Sequence, residues 1–314
     1  MALAFPRVAV IGSGAIGLYY GARLALGGAD VRFQMRSDLA AVKARGSVRL
    51  RIQGEWQEAS PIQAYATTAE IGVVDLVLIA TKTMANESVA ESLPPLLQGE
   101  TALLTLQNGL GADEFFAARF SAARVLGGLA FIANNRSAPG DVICFHPGSL
   151  TLGQFGGPPN DRLRALAEQF IAAGVKTQVA DNLASARWHK LVWNIPFNGL
   201  SIAAGGLTTD RLCSDPGWTS EVRALMREVQ SAAAALGFSI RDEFLQAQYD
   251  VTPPMGEYRP SSLVDFEAGR EVEVEPIWGE PLRRARAAEV AVPHLERLYS
   301  LLCELCRVRP SPLA

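Results

Sequence analysis

Val8-Ala9-Val10-Ile11-Gly12-Ser13-Gly14-Ala15-Ile16-Gly17 reads as a buried strand running straight into three glycines spaced G-x-G-x-x-G, with a helical apolar pattern over 18–26 beyond them. Each glycine answers a separate steric demand. Gly12 permits the tight strand-to-helix turn, Gly14 lets the backbone approach a pyrophosphate, and Gly17 lets helix and strand pack closely. The helix start would offer unpaired N–H groups and the positive end of its dipole to phosphate. An isolated G-x-G-x-x-G also fits an ordinary glycine-rich turn. Set after a strand and before a helix, it predicts dinucleotide binding.

The second strand, Asp30-Val31-Arg32-Phe33-Gln34-Met35-Arg36, bears on which dinucleotide. NAD-selective folds end it with an acidic residue that binds the ribose 2′-hydroxyl. Here Arg36 stands at that place, with Ser37 beside it. A guanidinium fork suits a 2′-phosphate and has no comparable partner in a bare hydroxyl. A solvated surface arginine, with Asp38 near enough to pair, is the plainer alternative. The expectation is NADP(H) rather than NAD(H).

Composition admits such a protein and excludes several others. A length of 314 residues fits two domains, and 49% hydrophobic against 19% charged residues is enough apolar matter for substantial cores. The net charge of −3, with no basic block, argues against nucleic acid as a partner. No apolar run is long enough to span a membrane, and Met1-Ala2-Leu3-Ala4-Phe5-Pro6 is too short for a secretory signal before the first strand, so a cytoplasmic protein is expected. The four cysteines (Cys144, Cys213, Cys303, Cys306) fit reduced thiols. Cys303 and Cys306 make a C-x-x-C, but they fall in the apolar pattern of Leu298, Leu301, Leu302 and Leu305, with no second pair to complete a site. His146, His189 and His294 show no ligand spacing, and no metal is expected.

Along the first half, strands alternate with helices. A short strand is read near 48–52. Val73-Val74-Asp75-Leu76-Val77-Leu78-Ile79-Ala80 has the continuous apolarity of a parallel strand buried on both faces. A helix over 85–97 and a strand over 102–106 follow. Strand-like runs at 125–133, 141–145 and 149–152 are punctuated by turns at Pro139-Gly140 and Pro147-Gly148, before a helix over 160–173 and a strand near 176–179. From Asn182 the texture changes to helical stretches, among them 220–236, 262–269 and 276–288. The predicted fold is α/β: a Rossmann-type dinucleotide-binding domain over 1–180 and an all-α substrate and catalytic domain over 181–314. The substrate site of such a fold is expected in a cleft near the carboxyl ends of the strands. Ala-rich helix around 224–235 and the Leu-rich C-terminus fit either a homodimer interface or an internal core.

Chemistry is sought on the helical half. In Arg187-Trp188-His189-Lys190-Leu191-Val192-Trp193-Asn194-Ile195-Pro196-Phe197-Asn198, a helix would align Lys190, Asn194 and Asn198 at i, i+4 and i+8. An ammonium beside two amides can supply a proton and grip a polar substrate. His189 would point about 100° away. An ordinary solvated lysine with capping asparagines fits the same spacing, which leaves both open. Pro196 removes a helical hydrogen bond and is expected to kink or end the helix. A second cluster, Ser261-Ser262-Leu263-Val264-Asp265 followed by Glu271-Val272-Glu273-Val274-Glu275, reads on its own as a helix N-cap and exposed acidic residues.

Taken together, these motifs resemble the ketopantoate reductase (2-dehydropantoate 2-reductase) family over nearly the whole chain. The glycine motif with Arg36, Thr81-Lys82, Gln107-Asn108-Gly109-Leu110-Gly111, the W-x-K-x-x-x-N-x-x-x-N run at Trp188, Lys190, Asn194 and Asn198, and Ser262, Asp265 and Glu273 occur in that family's order. The segment from Leu282-Arg283-Arg284-Ala285-Arg286 to Val290-Ala291-Val292-Pro293 is similar to its closing helix and turn. The resemblance implies NADPH-dependent reduction of the C2 carbonyl of 2-dehydropantoate to (R)-pantoate, a step of pantothenate biosynthesis. It implies Lys190 as general acid and Glu273 as its partner, and a cofactor set of Gly12, Ser13, Gly14, Ala15, Ile16, Gly17, Arg36, Lys82, Asn108, Ala133 and Glu273. Asn108, Lys190, Asn194, Asn198 and Ser262 would hold a small-molecule 2-oxo acid.

Two departures bear on the substrate. Where the family reads T-E-I-D, a large apolar residue, x, N and G, this chain reads Val272-Glu273-Val274-Glu275-Pro276-Ile277-Trp278-Gly279. Where many members carry an asparagine after the second helix starts, it has Gly206-Leu207-Thr208-Thr209-Asp210. A reductase of the same architecture for another branched 2-oxo acid or an opine-type imine is the alternative these leave. A non-catalytic NADP(H) sensor is a third reading. It predicts an eroded acid, and Lys190, Asn194 and Glu273 are all in place.

Overall fold

Three strands in which nearly every residue is buried set the frame, β1 (Arg7–Ile11) and, further along the chain, the segments Leu76–Ile79 and Ala102–Thr105. β2 (Asp30–Gln34), which buries only Val31 and Phe33, lies beside β1. The structure is a computed structural model that describes residues 3–307. It divides into two compact units, one taking in the chain up to Gln107 and Ala112–Leu183, the other Asn108–Gly111 and the chain from Ala184 onward.

The first unit is a Rossmann-type α/β domain. Its remaining strands are β3 (Val48–Ile52), β4 (Glu55–Ala59), β5 (Gln63–Tyr65), β6 (Leu76–Ile79), β7 (Ala102–Thr105), β8 (Val125–Ala138), β9 (Asp141–Gln154) and β10 (Thr177–Val179). The order across the sheet is β4-β3-β9-β8-β7-β6-β1-β2-β5, with β10 on β9. β1 pairs in parallel with β2 on one side and β6 on the other. The chain therefore reverses its direction of travel beside β1, the switch point where such sheets bind ligands. Val8, Ala9, Val10 and every residue of β6 are 0% exposed, as expected where helices cover both faces of a parallel sheet.

The sequence reading departs from the structure at the sheet margins. β4 and β5 went unread because each is short and β4 is mostly polar and exposed, the composition of an edge strand. The turn expected at Pro147-Gly148 is not there. β9 runs unbroken from Asp141 to Gln154, and the proline is absorbed by shifts of register between Phe131 and Asn134 on β8. A bulge leaves a strand position outside the hydrogen-bond ladder, which is where proline is tolerated.

The second unit is all helical among the described residues, built around the 21-residue helix Leu183–Ala203. That helix continues through Pro196 instead of ending there. Proline deprives only the Val192 carbonyl of its donor, and the turn is held from outside. Val192, Ile195 and Phe197 are 0% exposed, and Trp278 Nε1 donates to the Ile195 carbonyl at 3.0 Å. Cys303 lies in the same buried cluster, and all four cysteines are free thiols. No described helix is long and apolar enough to cross a membrane.

Candidate active site

In the first unit the glycine motif forms a phosphate-ready helix start. β1 ends at Ile11 and the helix Ala15–Leu26 begins four residues later. Gly12 has φ +104°, and a Cβ there would lie 2.7 Å from the Thr81 amide nitrogen. A Cβ on Gly17 would lie 1.9 Å from the Gly12 carbonyl oxygen, so the turn closes only on hydrogen at that position. Gly14 differs in kind, with nothing within 4 Å of its Cβ position. The helix start has no side-chain cap and no acidic residue in its first turn. Unpaired N–H groups beside open space and free of negative charge fit a pyrophosphate.

Arg36 lies two residues beyond the end of β2 and is exposed, and its guanidinium has no partner among the described residues. The pairing with Asp38 that the sequence allowed does not form. Asp38 is fully buried, where it accepts from Ser37 Oγ and Gly140 N at 2.9 Å and pairs with Arg136. Asp38 thus belongs to the fold, and Arg36 is left available to an anion. Lys82 follows β6 and starts a short 3₁₀ turn over Thr83–Ala85. Gln107, at the end of β7, ties that loop down through Thr81 O at 3.0 Å and Asn86 Oδ1 at 2.7 Å. Ala133 sits at the register shift on β8, and its neighbour Asn134 donates to the Ala15 carbonyl at 3.0 Å, bracing the glycine turn.

In the second unit one helix and one borrowed loop build the chemistry. Asn108–Gly111 packs with the helical unit: Leu110 N donates to the Pro276 carbonyl at 2.9 Å. Gly109 has φ +78°, and a Cβ there would meet the Pro276 oxygen at 2.2 Å. This close approach delivers Asn108 to the lysine, whose Nζ donates to Asn108 Oδ1 at 2.9 Å. Because the helix Leu183–Ala203 is unbroken, Lys190, Asn194 and Asn198 do share one stripe. Asn194 is 8% exposed, and its amide makes no hydrogen bond to any described residue. A buried amide left open beside an ammonium is a ready anchor for a polar ligand.

Asn198 does two things at once. Its Oδ1 accepts from the Ser262 backbone N–H at 3.0 Å and from Ser261 Oγ at 3.4 Å. It therefore satisfies an orphan donor at the start of the helix Ser261–Glu267. The N-cap expected from Ser261 and Ser262 is corrected accordingly. The cap position is Pro260, and both serines lie inside the first turn, fixed to the lysine helix by Asn198. Asp265 is bonded to Arg270 at 2.7 Å. Val272 and Val274, both buried, hold Glu273 between them just before a π-helical turn over Glu275–Gly279. Glu275 is bound to Arg283 at 2.8 Å and Tyr299 at 2.5 Å.

The electrostatics single out Lys190. Burial of its ammonium pulls its pKa down to about 7, the nearby Arg187 charge pushes in the same direction, and Glu273 partly offsets both. His189 is engaged elsewhere: its Nδ1 lies 2.8 Å from the Ser185 carbonyl and its ring is edge-on to Phe244 at 4.8 Å. Sequence reading passed over Arg187, which is 5% exposed and donates to the Gly109 carbonyl at 3.4 Å. Its i, i+3 spacing from Lys190 was the signal available.

Comparison with known proteins follows the same division. A family model described as "Ketopantoate reductase PanE/ApbA" matches residues 8–157, and one described as "Ketopantoate reductase PanE/ApbA C terminal" matches residues 182–305. The chain is 36% identical over 301 residues to a 2-dehydropantoate 2-reductase of Nostoc sp., covering 94% of each chain. Among solved structures, the 2-dehydropantoate 2-reductase of Geobacter metallireducens superposes with a TM-score of 0.91 at 39% identity, covering 95% of this chain and 99% of that one. The 2-dehydropantoate 2-reductase of Methylococcus capsulatus superposes with a TM-score of 0.89 at 36% identity, covering 98% of both.

Proposed function

This chain belongs to the ketopantoate reductase family of oxidoreductases, and we propose that it reduces 2-dehydropantoate to (R)-pantoate with NADPH. The observation that carries this reading is the desolvated Lys190 ammonium, hydrogen-bonded to Asn108 at 2.9 Å and followed one turn later by the open amide of Asn194. The bound nicotinamide would supply hydride to the C2 carbonyl carbon of the substrate. Lys190 stabilises the oxygen as negative charge develops on it and then transfers its proton, giving the hydroxyl. A lysine with a pKa of about 7 is matched to this work near neutral pH. Glu273 keeps the ammonium charged between turnovers. Asn108, Asn194, Asn198 and Ser262 supply neutral hydrogen-bonding groups, which suits an anionic 2-oxo acid that needs fixed dipoles.

Thr208 bears on the tail of the substrate. Its hydroxyl is turned to Asp210 within its own loop. The hydroxyl of the substrate would depend on the remaining amides.

For the cofactor, Gly12, Ser13, Gly14, Ala15, Ile16 and Gly17 would receive the pyrophosphate and Arg36 the 2′-phosphate. Lys82, Ala133, Asn108 and Glu273 complete the proposed set. Arg36→Ala is expected to weaken NADPH binding by about 1.5–3 kcal/mol, the scale of a hydrogen bond to a charged group. NADH binding should hardly change. Titrations of both cofactors decide it, and equal losses would remove Arg36 from the 2′-phosphate.

A further inference from the structure

Arg187 is the charged group that the reaction as described does not use. It is a guanidinium 5% exposed, one helical turn before Lys190, and it donates to the Gly109 carbonyl at 3.4 Å. Burying a cation next to a second cation is costly and needs a reason. Two consequences of its placement converge on the lysine. By holding Gly109, Arg187 steadies the loop whose Asn108 oxygen accepts the Lys190 hydrogen bond at 2.9 Å. By placing a positive charge beside Lys190, it disfavours the ammonium and favours the neutral amine.

We propose that Arg187 is a positioning residue for the proton donor, which holds the Asn108 loop against Lys190 and makes the ammonium a readier acid. This rests on Lys190 being the general acid. The charged groups acting on Lys190 are Arg187 from its own helix and Glu273 from the segment before the π-helical turn. They act in opposite senses: Arg187 promotes proton release and Glu273 resists it. A lysine at its ordinary value would hold its proton too tightly at neutral pH. One depressed by burial alone would be closer to the right value, and Arg187 carries it further.

The test reads Lys190 directly. The full-length protein is acetylated with trace acetic anhydride across a pH series, and the extent at Lys190 is measured by mass spectrometry. In the wild type the midpoint is expected near 7. Arg187→Gln should move it up by roughly one pH unit, Arg187→Lys should leave it near the wild-type value, and Glu273→Gln should move it down. The alkaline limb of kcat/KM for reduction should move with the midpoint in each variant. A folded Arg187→Gln protein whose Lys190 midpoint stays in place, or whose only defect is a raised KM, overturns the proposal. If Arg187→Gln does not fold, Arg187→Met, which removes the charge and keeps the apolar stem, is read in the same way, and an unmoved Lys190 midpoint in that variant overturns the proposal. Should the midpoint move while the kcat/KM limb does not, Lys190 is not the acid, and the failure lies in the functional reading instead.

Discussion

Lys190→Ala should lower kcat for ketopantoate reduction by roughly 10²–10⁴-fold, the usual cost of losing a general acid. Cofactor affinity should survive, because the glycine turn and Arg36 belong to the other unit. The structure gives the lysine three specific supports: the Asn108 oxygen at 2.9 Å, burial that pulls its pKa to about 7, and the opposing charges of Arg187 and Glu273. The sign of the pH dependence follows. Reduction needs the protonated amine, so kcat/KM should be highest below about 7 and fall as pH rises through that value. Glu273→Ala should also slow turnover, and the double variant should lose less than the two single losses combined, since groups acting as a unit are not additive. His189→Ala should change little, because that ring is occupied by Ser185 and Phe244. Steady-state rates across pH check all of this, and near-normal turnover in Lys190→Ala would end the mechanism.

The second large effect is expected at the glycine turn, where two neighbouring substitutions should behave oppositely. A Cβ at position 17 falls 1.9 Å from the Gly12 carbonyl oxygen, a backbone atom that cannot step aside. Gly17→Ala should therefore destabilise the nucleotide domain by about 3 kcal/mol or more, visible as a lowered Tm or as loss of soluble protein. At position 14 the space is open, with nothing within 4 Å. Gly14→Ala should fold with a Tm close to wild type and yet bind NADPH about tenfold or more weakly, because the added methyl occupies room kept for the pyrophosphate. Melting curves and cofactor titrations on the two variants make the comparison. Equal affinity in Gly14→Ala would show that the open space serves no phosphate.

Much of this architecture is local and was therefore readable. The buried strands declare themselves through unbroken apolar runs such as 76–79, and the nucleotide turn through three glycines whose spacing has one common steric use. The lysine face is equally local, since i, i+4, i+8 needs only a continuous helix. What the chain does over long sequence distances was not readable. No local signal says that Asn198 closes the start of the helix 63 residues later, or that the Gly109 turn needs the Pro276 carbonyl above it. Pro196 misled because its penalty is local while its remedy, packing and a hydrogen bond from Trp278, comes from 82 positions along the chain. Pro147 misled in the same way, because a bulge opposite β8 depends on the partner strand. Arg187 was within reach by spacing, but a charged residue's burial is set by the loop that packs on it.

Pro276 and Trp278 gain a physical role from the same observations. Pro276 supplies the carbonyl that receives Leu110 N, and Trp278 is fully buried against the lysine helix. Pro276 therefore supports the Asn108 loop and Trp278 the Lys190 helix.

The central claim is that this chain is an NADPH-dependent reductase of ketopantoate. The most direct test is to measure kcat/KM for ketopantoate and for a panel of other branched, linear and aromatic 2-oxo acids, each with NADPH and with NADH, and to determine the configuration of the product. The expected result is highest efficiency with ketopantoate and NADPH, yielding (R)-pantoate. Oxidation of NADPH by another 2-oxo acid with none by ketopantoate, or equal efficiency with NADH, would contradict it.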